Sequence, residues 1–421
     1  MIESNVRHLR RVTPPLAGYL RVGHRDGSLM AKLLEKGLPV GAGVILDPTA
    51  GDRTVDLRTS AVQNGVEAIL DTRAVELSTI GGFASSTVAR LPWAGTAVHV
   101  PGDLGGLTPA EMTGSIAAEA VESRVTGVLA PTHFLDIDRN WLYVDVELTE
   151  RLRADLDRSG AGGTVVYYPL VASLKVLRDP VYFAKVKSEL RGLISRRQVD
   201  GIFVRVQGFG TNKAGPLNLR KYLALCRDLH DLGVPVVGER TGTVGVALAA
   251  FGAIGGVESS VTFGETYDAR RLLKPPKGGG FVPPPRVYLD GALVTVDKED
   301  ARALMARRGL SRLGCRGACC QQGRQSMIED PRRHFVVTRA GELSRLSIVP
   351  DADRAEHYVS TVLAPARDNA AQLARSMPAL ASHRDRLDDW YLSLKRILAE
   401  DAAVAHSTAL APTGRRLARG A

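Results

Sequence analysis

The chain has 421 residues, 44% hydrophobic and 24% charged, an ordinary globular composition with enough length for a large core. It has no run of eighteen apolar residues to span a membrane, and its charged first twelve residues lack the apolar stretch of a secretory signal. Four cysteines are too few for a disulfide scaffold, so a reduced, cytoplasmic protein is expected. The net charge is +10, and residues 301–345 hold ten basic and three acidic side chains. Such a segment suits phosphate neutralisation, and equally a solvated surface in an arginine-rich chain.

Residues 1–40 read as a short arm followed by a helix at 28–36. Residues 41–300 then alternate short apolar runs with helical spacing. The runs fall at 43–46, 68–70, 127–129, 164–167, 201–206, 234–237, 256–261 and 286–289, and the helical stretches include 148–156, 181–194, 219–232 and 243–251. Buried parallel strands have this short, continuous, apolar character, and eight of them with intervening helices predict a (β/α)8 barrel, with a doubly wound sheet as the rival. The proline- and glycine-rich stretch 274–285 reads as an exposed loop or lid. Residues 301–400 read as a basic helical appendage with helices near 357–374 and 384–398, and 401–421 as a flexible tail.

Polar residues follow the predicted strands: Asp47, Asp71, Thr132-His133, Gln207-Gly208, Glu239-Arg240 and Glu258-Ser259. In a barrel the C-terminal strand ends converge on one mouth, where catalytic groups collect. Each Asp or Thr taken singly is also a helix cap. Asp71, Asp47 and Glu239 are the candidate catalytic carboxylates, with Glu258 a further positional candidate, since glycosyl transfer needs a nucleophile at the sugar carbon and an acid/base. Arg240 and Arg73 suit an anionic substrate, and His133 is either a mouth residue or a local loop anchor.

The sharpest local feature is Cys315-Arg-Gly-Ala-Cys319-Cys320 with His334 fourteen residues on. Three thiols and an imidazole suit a tetrahedral structural zinc site, and nearby arginines favour the ligating thiolates. His357 is the alternative fourth ligand, and a buried cysteine cluster or redox pair is the competing reading. Gln207, at a strand end, offers donor and acceptor to a planar base, and Gly208 allows close backbone approach. The chain carries no phosphate-loop motif and no dinucleotide fingerprint opening a helix after a first strand.

Four short motifs resemble the tRNA-guanine transglycosylase superfamily, whose relatives also insert 7-deazaguanines into DNA. They are Ile69-Leu70-Asp71-Thr72; Val206-Gln207-Gly208 with Leu219-Arg220; Gly255-Gly256 with Gly264-Glu265; and the Cys315/Cys319/Cys320 cluster. The resemblance implies a (β/α)8 barrel with a C-terminal zinc subdomain. It further implies Asp71 as acid/base, Gln207 and Gly208 as base contacts, and Gly255 and Gly256 as lining of the base pocket. The cysteine spacing CxxxCC and the continuation TRAVEL after Asp71 depart from the family pattern, and its nucleophilic aspartate has no direct counterpart. The implied activity is exchange or insertion of a (deaza)guanine-type base in tRNA or DNA through a covalent glycosyl-enzyme; a homodimer is a candidate assembly, on which the sequence is silent. A barrel enzyme acting on a small anionic metabolite and a non-catalytic nucleic-acid-binding subunit are the alternatives.

Overall fold

The computed structural model describes residues 16–23, 25–211, 213–261, 265–269, 272–274 and 286–410. Eight parallel strands close into one barrel: β1 (Ala17–Val22), β2 (Gly43–Leu46), β3 (Glu67–Asp71), β4 (Gly127–Leu129), β5 (Val165–Ser173), β6 (Gly201–Gln207), β7 (Val236–Glu239) and β8 (Gly256–Ser260). Each pairs with the next, and β1 closes the ring on β8 with Tyr19 opposite Glu258. A helix follows each strand: α1 (Gly27–Glu35), α2 (Val55–Gln63), α3 (Pro109–Glu122), α4 (Trp141–Arg158), α5 (Pro180–Ser195), α6 (Pro216–His230), α7 (Thr243–Ala250) and α8 (Pro331–Ser347). This is the expected (β/α)8 fold.

The barrel has the expected eight strands, but the set differs. The run at Arg286–Leu289 is not a barrel strand: as β9 it pairs antiparallel with β10 (Val294–Asp297) in a separate two-stranded sheet. The missing barrel strand is β1, inside the stretch expected to be an arm, so the barrel begins before residue 41 and its last strand ends at Ser260. The physical reason lies in composition. Gly18 and Arg21 interrupt the apolar continuity of Ala17–Val22, whereas Val287-Tyr288-Leu289 is as apolar as a barrel strand.

Alternation along the strands fills the lumen in layers. Tyr19, Ile45, Ile69, Leu129, Tyr167, Phe203 and Val237 form one buried cluster across seven strands. Beneath it Gly43, Gly201 and Gly256 make room for the tyrosines: a Cβ on Gly43 would stand 2.8 Å from the Tyr19 ring, and one on Gly201 3.0 Å from Tyr167. A larger apolar shell lies between strands and helices.

Beyond the barrel, β9 and β10 pack with Leu304, Met305, Leu313, Met327 and Leu373 into a second core, which also holds Cys319 and Cys320. Residues 351–376 form one helix (α9) with a wide turn at Tyr358–Leu363, and α10 runs Ala381–Leu410. The tail expected from 401 therefore begins as helix, and residues 411–421 lie outside the described residues, as do residues 1–15 of the arm and 275–285 of the proline-rich loop. Among the described residues no helix is long and apolar enough to cross a membrane.

Candidate active site at the barrel mouth and an adjoining candidate metal centre

Two residues beyond the apolar lumen layer, the same strands turn charged. Arg21 follows Tyr19, Asp47 follows Ile45, Asp71 follows Ile69, Arg205 follows Phe203 and Glu239 follows Val237, so strand periodicity brings all five to the C-terminal mouth. Arg21 is the hub. Its Nη1 donates to Asp71, its Nη2 to Glu239 Oε1 at 2.5 Å and its Nε to Glu258 Oε1 at 3.2 Å. Arg205 Nη2 donates to the same Glu239 oxygen. Arg73 holds Asp47 through Nη1 at 2.5 Å and Glu76 through Nε at 3.1 Å, while its backbone N–H donates to Asp71 Oδ1 at 3.0 Å.

Burial by itself would raise the Asp71 carboxyl, but Arg21, Arg73 and Arg205 outweigh it and hold the group well below the usual carboxylate range. Glu239 is likewise held down, burial being overcome by Arg205 and Arg21. Both carboxylates are therefore ionised at neutral pH. Two nitrogens of one guanidinium grip them, so Asp71 and Glu239 share Arg21 as a common partner. Glu239 Oε2 is buried without a hydrogen-bond partner.

The other expected residues divide. Gln207 and Gly208 do lie at the mouth, where they clamp the segment after β8. Gln207 Nε2 donates to Asp268 Oδ1 at 3.1 Å, its Oε1 accepts from the backbone of Ala269, and Gly208 N–H donates to Tyr267 O at 3.0 Å. Both ends of the Gln207 amide are thus engaged within the chain. Gly255 and Gly256 are not beside Gln207: they open β8 at the opposite, N-terminal end of the barrel, where Gly255 N–H bonds Val236 O and Gly256 pairs with Ala17. Their smallness serves packing there, since a Cβ on Gly256 would meet Val237 and Tyr19. Gly264 lies outside the described residues. His133 is an anchor: its Nδ1 pairs with Asp145 at 2.6 Å and its ring stacks on Trp141.

Sequence reasoning missed Arg21, Arg205 and Tyr267. The first two had a signal, a charged side chain at an inward-facing position of an otherwise buried strand (GYLRV and FVRVQ). Tyr267 had none; its ring seats against Val75, Phe134 and Val171 at the mouth, 5.4 Å from the Arg205 guanidinium carbon.

The metal expectation fares differently. Cys315, Cys319, Cys320 and His334 bring one donor atom each within 4.8 Å of one another, and this cluster could hold a metal ion. His357 is not part of it, because its helix starts beyond the end of α8. Cys315 and Cys319 sulfurs are 3.5 Å apart, and His334 Nδ1 lies 3.5 Å from Cys320 and 3.7 Å from Cys319. A tetrahedral ion with bonds of about 2.3 Å to sulfur and 2.0 Å to nitrogen sets its donors about 3.5–3.8 Å apart, so the residues fit. His334 Nε2 lies 2.8 Å from Tyr288 O, the outer hydrogen bond that fixes a ligating imidazole, and Gly317 N–H donates to Cys315 Sγ at 3.3 Å.

The centre adjoins the mouth through α8. Five residues after His334, Arg339 donates to Thr243 Oγ1 at 2.9 Å and Glu265 Oε1 at 3.2 Å. Glu265 opens the segment that Gln207 and Gly208 clamp. Six exposed arginines, Arg302, Arg307, Arg308, Arg312, Arg316 and Arg324, lie along the chain leading to and through the cysteines.

No protein-family model matches the chain, and no curated protein matches it. Solved structures with a similar course include the carboxyl transferase domain from Rhizobium etli pyruvate carboxylase, at 11% identity over 88% of this chain and TM-score 0.39; the chain covers 55% of that one's length. A GH18 chitinase from Pseudoalteromonas aurantia (11% identity, 58% of this chain and 93% of that one, TM-score 0.37) and an endo-1,4-beta-xylanase from Penicillium canescens (12%, 57% and 82%, TM-score 0.38) are similar at the same level.

Proposed function

We propose that the chain is a barrel enzyme of transglycosylase type that exchanges or inserts a (deaza)guanine-type base in a nucleic acid, tRNA or DNA. The observation that carries the reading is the pair Asp71 and Glu239, ionised and held on adjacent nitrogens of the Arg21 guanidinium. Glu239 Oε2, the unpartnered oxygen, attacks C1′ of the nucleoside as the C1′–N bond breaks and its electron pair leaves on the departing base. The incoming base then attacks C1′, gives its N–H proton to Asp71 and frees Glu239. That proton passes to the departed base, and Asp71 returns to its ionised state.

The Cys315, Cys319, Cys320 and His334 set would hold zinc, a closed four-ligand site with a structural role. The exposed arginines around it would take the phosphate backbone, with the salt dependence that counterion release imposes. The Cys3His centre and Asp71 support the resemblance to the tRNA-guanine transglycosylases. Gln207 enters this reading as the residue that positions the segment over the mouth.

The test is incorporation of labelled guanine, or a 7-deazaguanine, into tRNA and into duplex DNA. Asp71→Asn and Glu239→Gln are each expected to lower exchange by about 10³-fold or more, with metal content and circular dichroism unchanged. Wild-type turnover in both variants would remove the pair from the mechanism.

A further inference from the structure

Beside Arg73, three further guanidinium groups stand at the mouth, and their hydrogen-bonding is unequal. Arg21 places three nitrogens on carboxylates and Arg205 places one. Arg240 places none. Its backbone N–H donates to Glu258 Oε2 at 2.6 Å, but its Nε is buried without a partner, as is Arg205 Nε. A buried N–H donor left unfilled costs free energy unless an acceptor arrives. Burial, then the charges of Arg21 and Arg205, pull Arg240 below the ordinary arginine range, so its surroundings disfavour its charge.

The backbone adds a second observation. Arg240 has φ +54°, the left-handed region that residues other than glycine rarely occupy. A strained residue at a strand end persists where the site needs its side chain there. A third donor lies close by: the Tyr267 hydroxyl is buried and unpartnered, on a ring beside Arg205 and within reach of the Arg205 and Arg240 charges.

We propose that Arg240, Arg205 and the Tyr267 hydroxyl form a phosphoryl-binding subsite at the barrel mouth. The donors come from β6, the loop after β7 and the loop after β8, and a phosphoryl group, with several oxygens, can accept from donors on separate elements. The loops after the seventh and eighth strands are also where barrels frequently build phosphate sites. The inference rests on the mouth being the active site, as read above. The phosphoryl group belongs either to the phosphodiester beside the reacting nucleoside or to a free phosphorylated small molecule.

The experiment uses the full, metal-loaded chain titrated with inorganic phosphate, guanosine 5′-monophosphate, guanosine and a short oligonucleotide, read by calorimetry and ³¹P line broadening. Saturable binding of phosphate and the monophosphate but not of guanosine is expected. Arg240→Asn, a residue that tolerates positive φ, should weaken it about 10-fold or more, and Tyr267→Phe about 3-fold, with metal content unchanged. Should Arg240→Asn fail to fold, Tyr267→Phe carries the test alone.

Absent phosphate binding, or equal binding by the wild type and the folded variants, overturns the subsite and leaves Arg240 as a counter-charge to the carboxylates. If Arg240→Asn raises KM for the oligonucleotide, the source is the phosphodiester. If it weakens only the monophosphate, the source is a small molecule. Phosphate binding through Arg240 in a chain that exchanges no base keeps the subsite and removes the transglycosylase reading. Base exchange with an unchanged KM in Arg240→Asn removes the subsite alone.

Discussion

The barrel mouth and the Cys/His centre are both buried clusters of polar side chains, yet they are assembled in opposite ways. The Cys/His centre takes its four donors from one stretch of twenty residues, 315–334, closed over a small core of its own. The mouth takes Arg21, Asp71, Arg205, Glu239 and Glu258 from five strands, and the Arg21–Glu258 contact alone spans 237 positions in sequence. A local cluster can be held by an ion; a distributed one is held by the register of the whole barrel. The difference predicts where each breaks.

The largest effect belongs to the local centre. On the proposed zinc site, Cys319→Ser with Cys320→Ser should abolish metal binding and strongly destabilise the small core, because a structural metal supplies folding free energy on the order of 10 kcal/mol. Metal content by plasma mass spectrometry and the thermal transition check this. An unchanged transition with no metal in either protein would mean that the second core stands without an ion.

Next comes the hub of the mouth. Arg21→Met leaves Asp71, Glu239 and Glu258 without their shared partner, and should cost about 3–5 kcal/mol in denaturant unfolding. Metal content should match that of the wild type, since no contact of Arg21 reaches the Cys/His residues. Loss of metal in this variant would join the two regions into one cooperative unit.

The smallest effect is a separation in pH. Asp71 and Glu239 have folded-state values below their ordinary ones, so the unfolded chain binds more protons. Their stabilisation is complete above about pH 5.5, where the unfolded carboxylates are ionised, and is lost as the pH falls through the ordinary values toward the lower folded ones. Metal release, which follows from proton competition for the ligands, should come first on acidification. Parallel titrations of bound metal and near-ultraviolet circular dichroism would show the order. A single coincident transition would contradict it.

The same contrast decides what could be read from sequence. The metal donors were legible because spacing alone brings them together; only the choice between His334 and His357 needed coordinates. The βα alternation was legible because buried parallel strands are continuously apolar, and Asp71, Asp47, Glu239 and Arg240 were legible as strand-end residues. β1 was missed because the residue that gives it a role, Arg21, also breaks its apolar run. Gly255-Gly256 was misplaced because a pair of glycines looks alike at either end of a strand, and only the pairing with Ala17 shows which end it occupies. Gln207 was found at the mouth, but what it holds depends on a segment 61 residues away.

Closure of the ring by β1 on β8 sets a timetable for synthesis. The strand at Ala17–Val22 leaves the ribosome early, then waits for Gly256–Ser260, some 240 residues later, before its second edge is covered. At about 5–20 residues per second that wait is roughly 12–50 s, during which Arg21 has neither Glu239 nor Glu258. A nascent chain stalled before residue 256 therefore displays an open strand edge and an unanswered charge, and the first mouth residue to be translated is among the last to be buried.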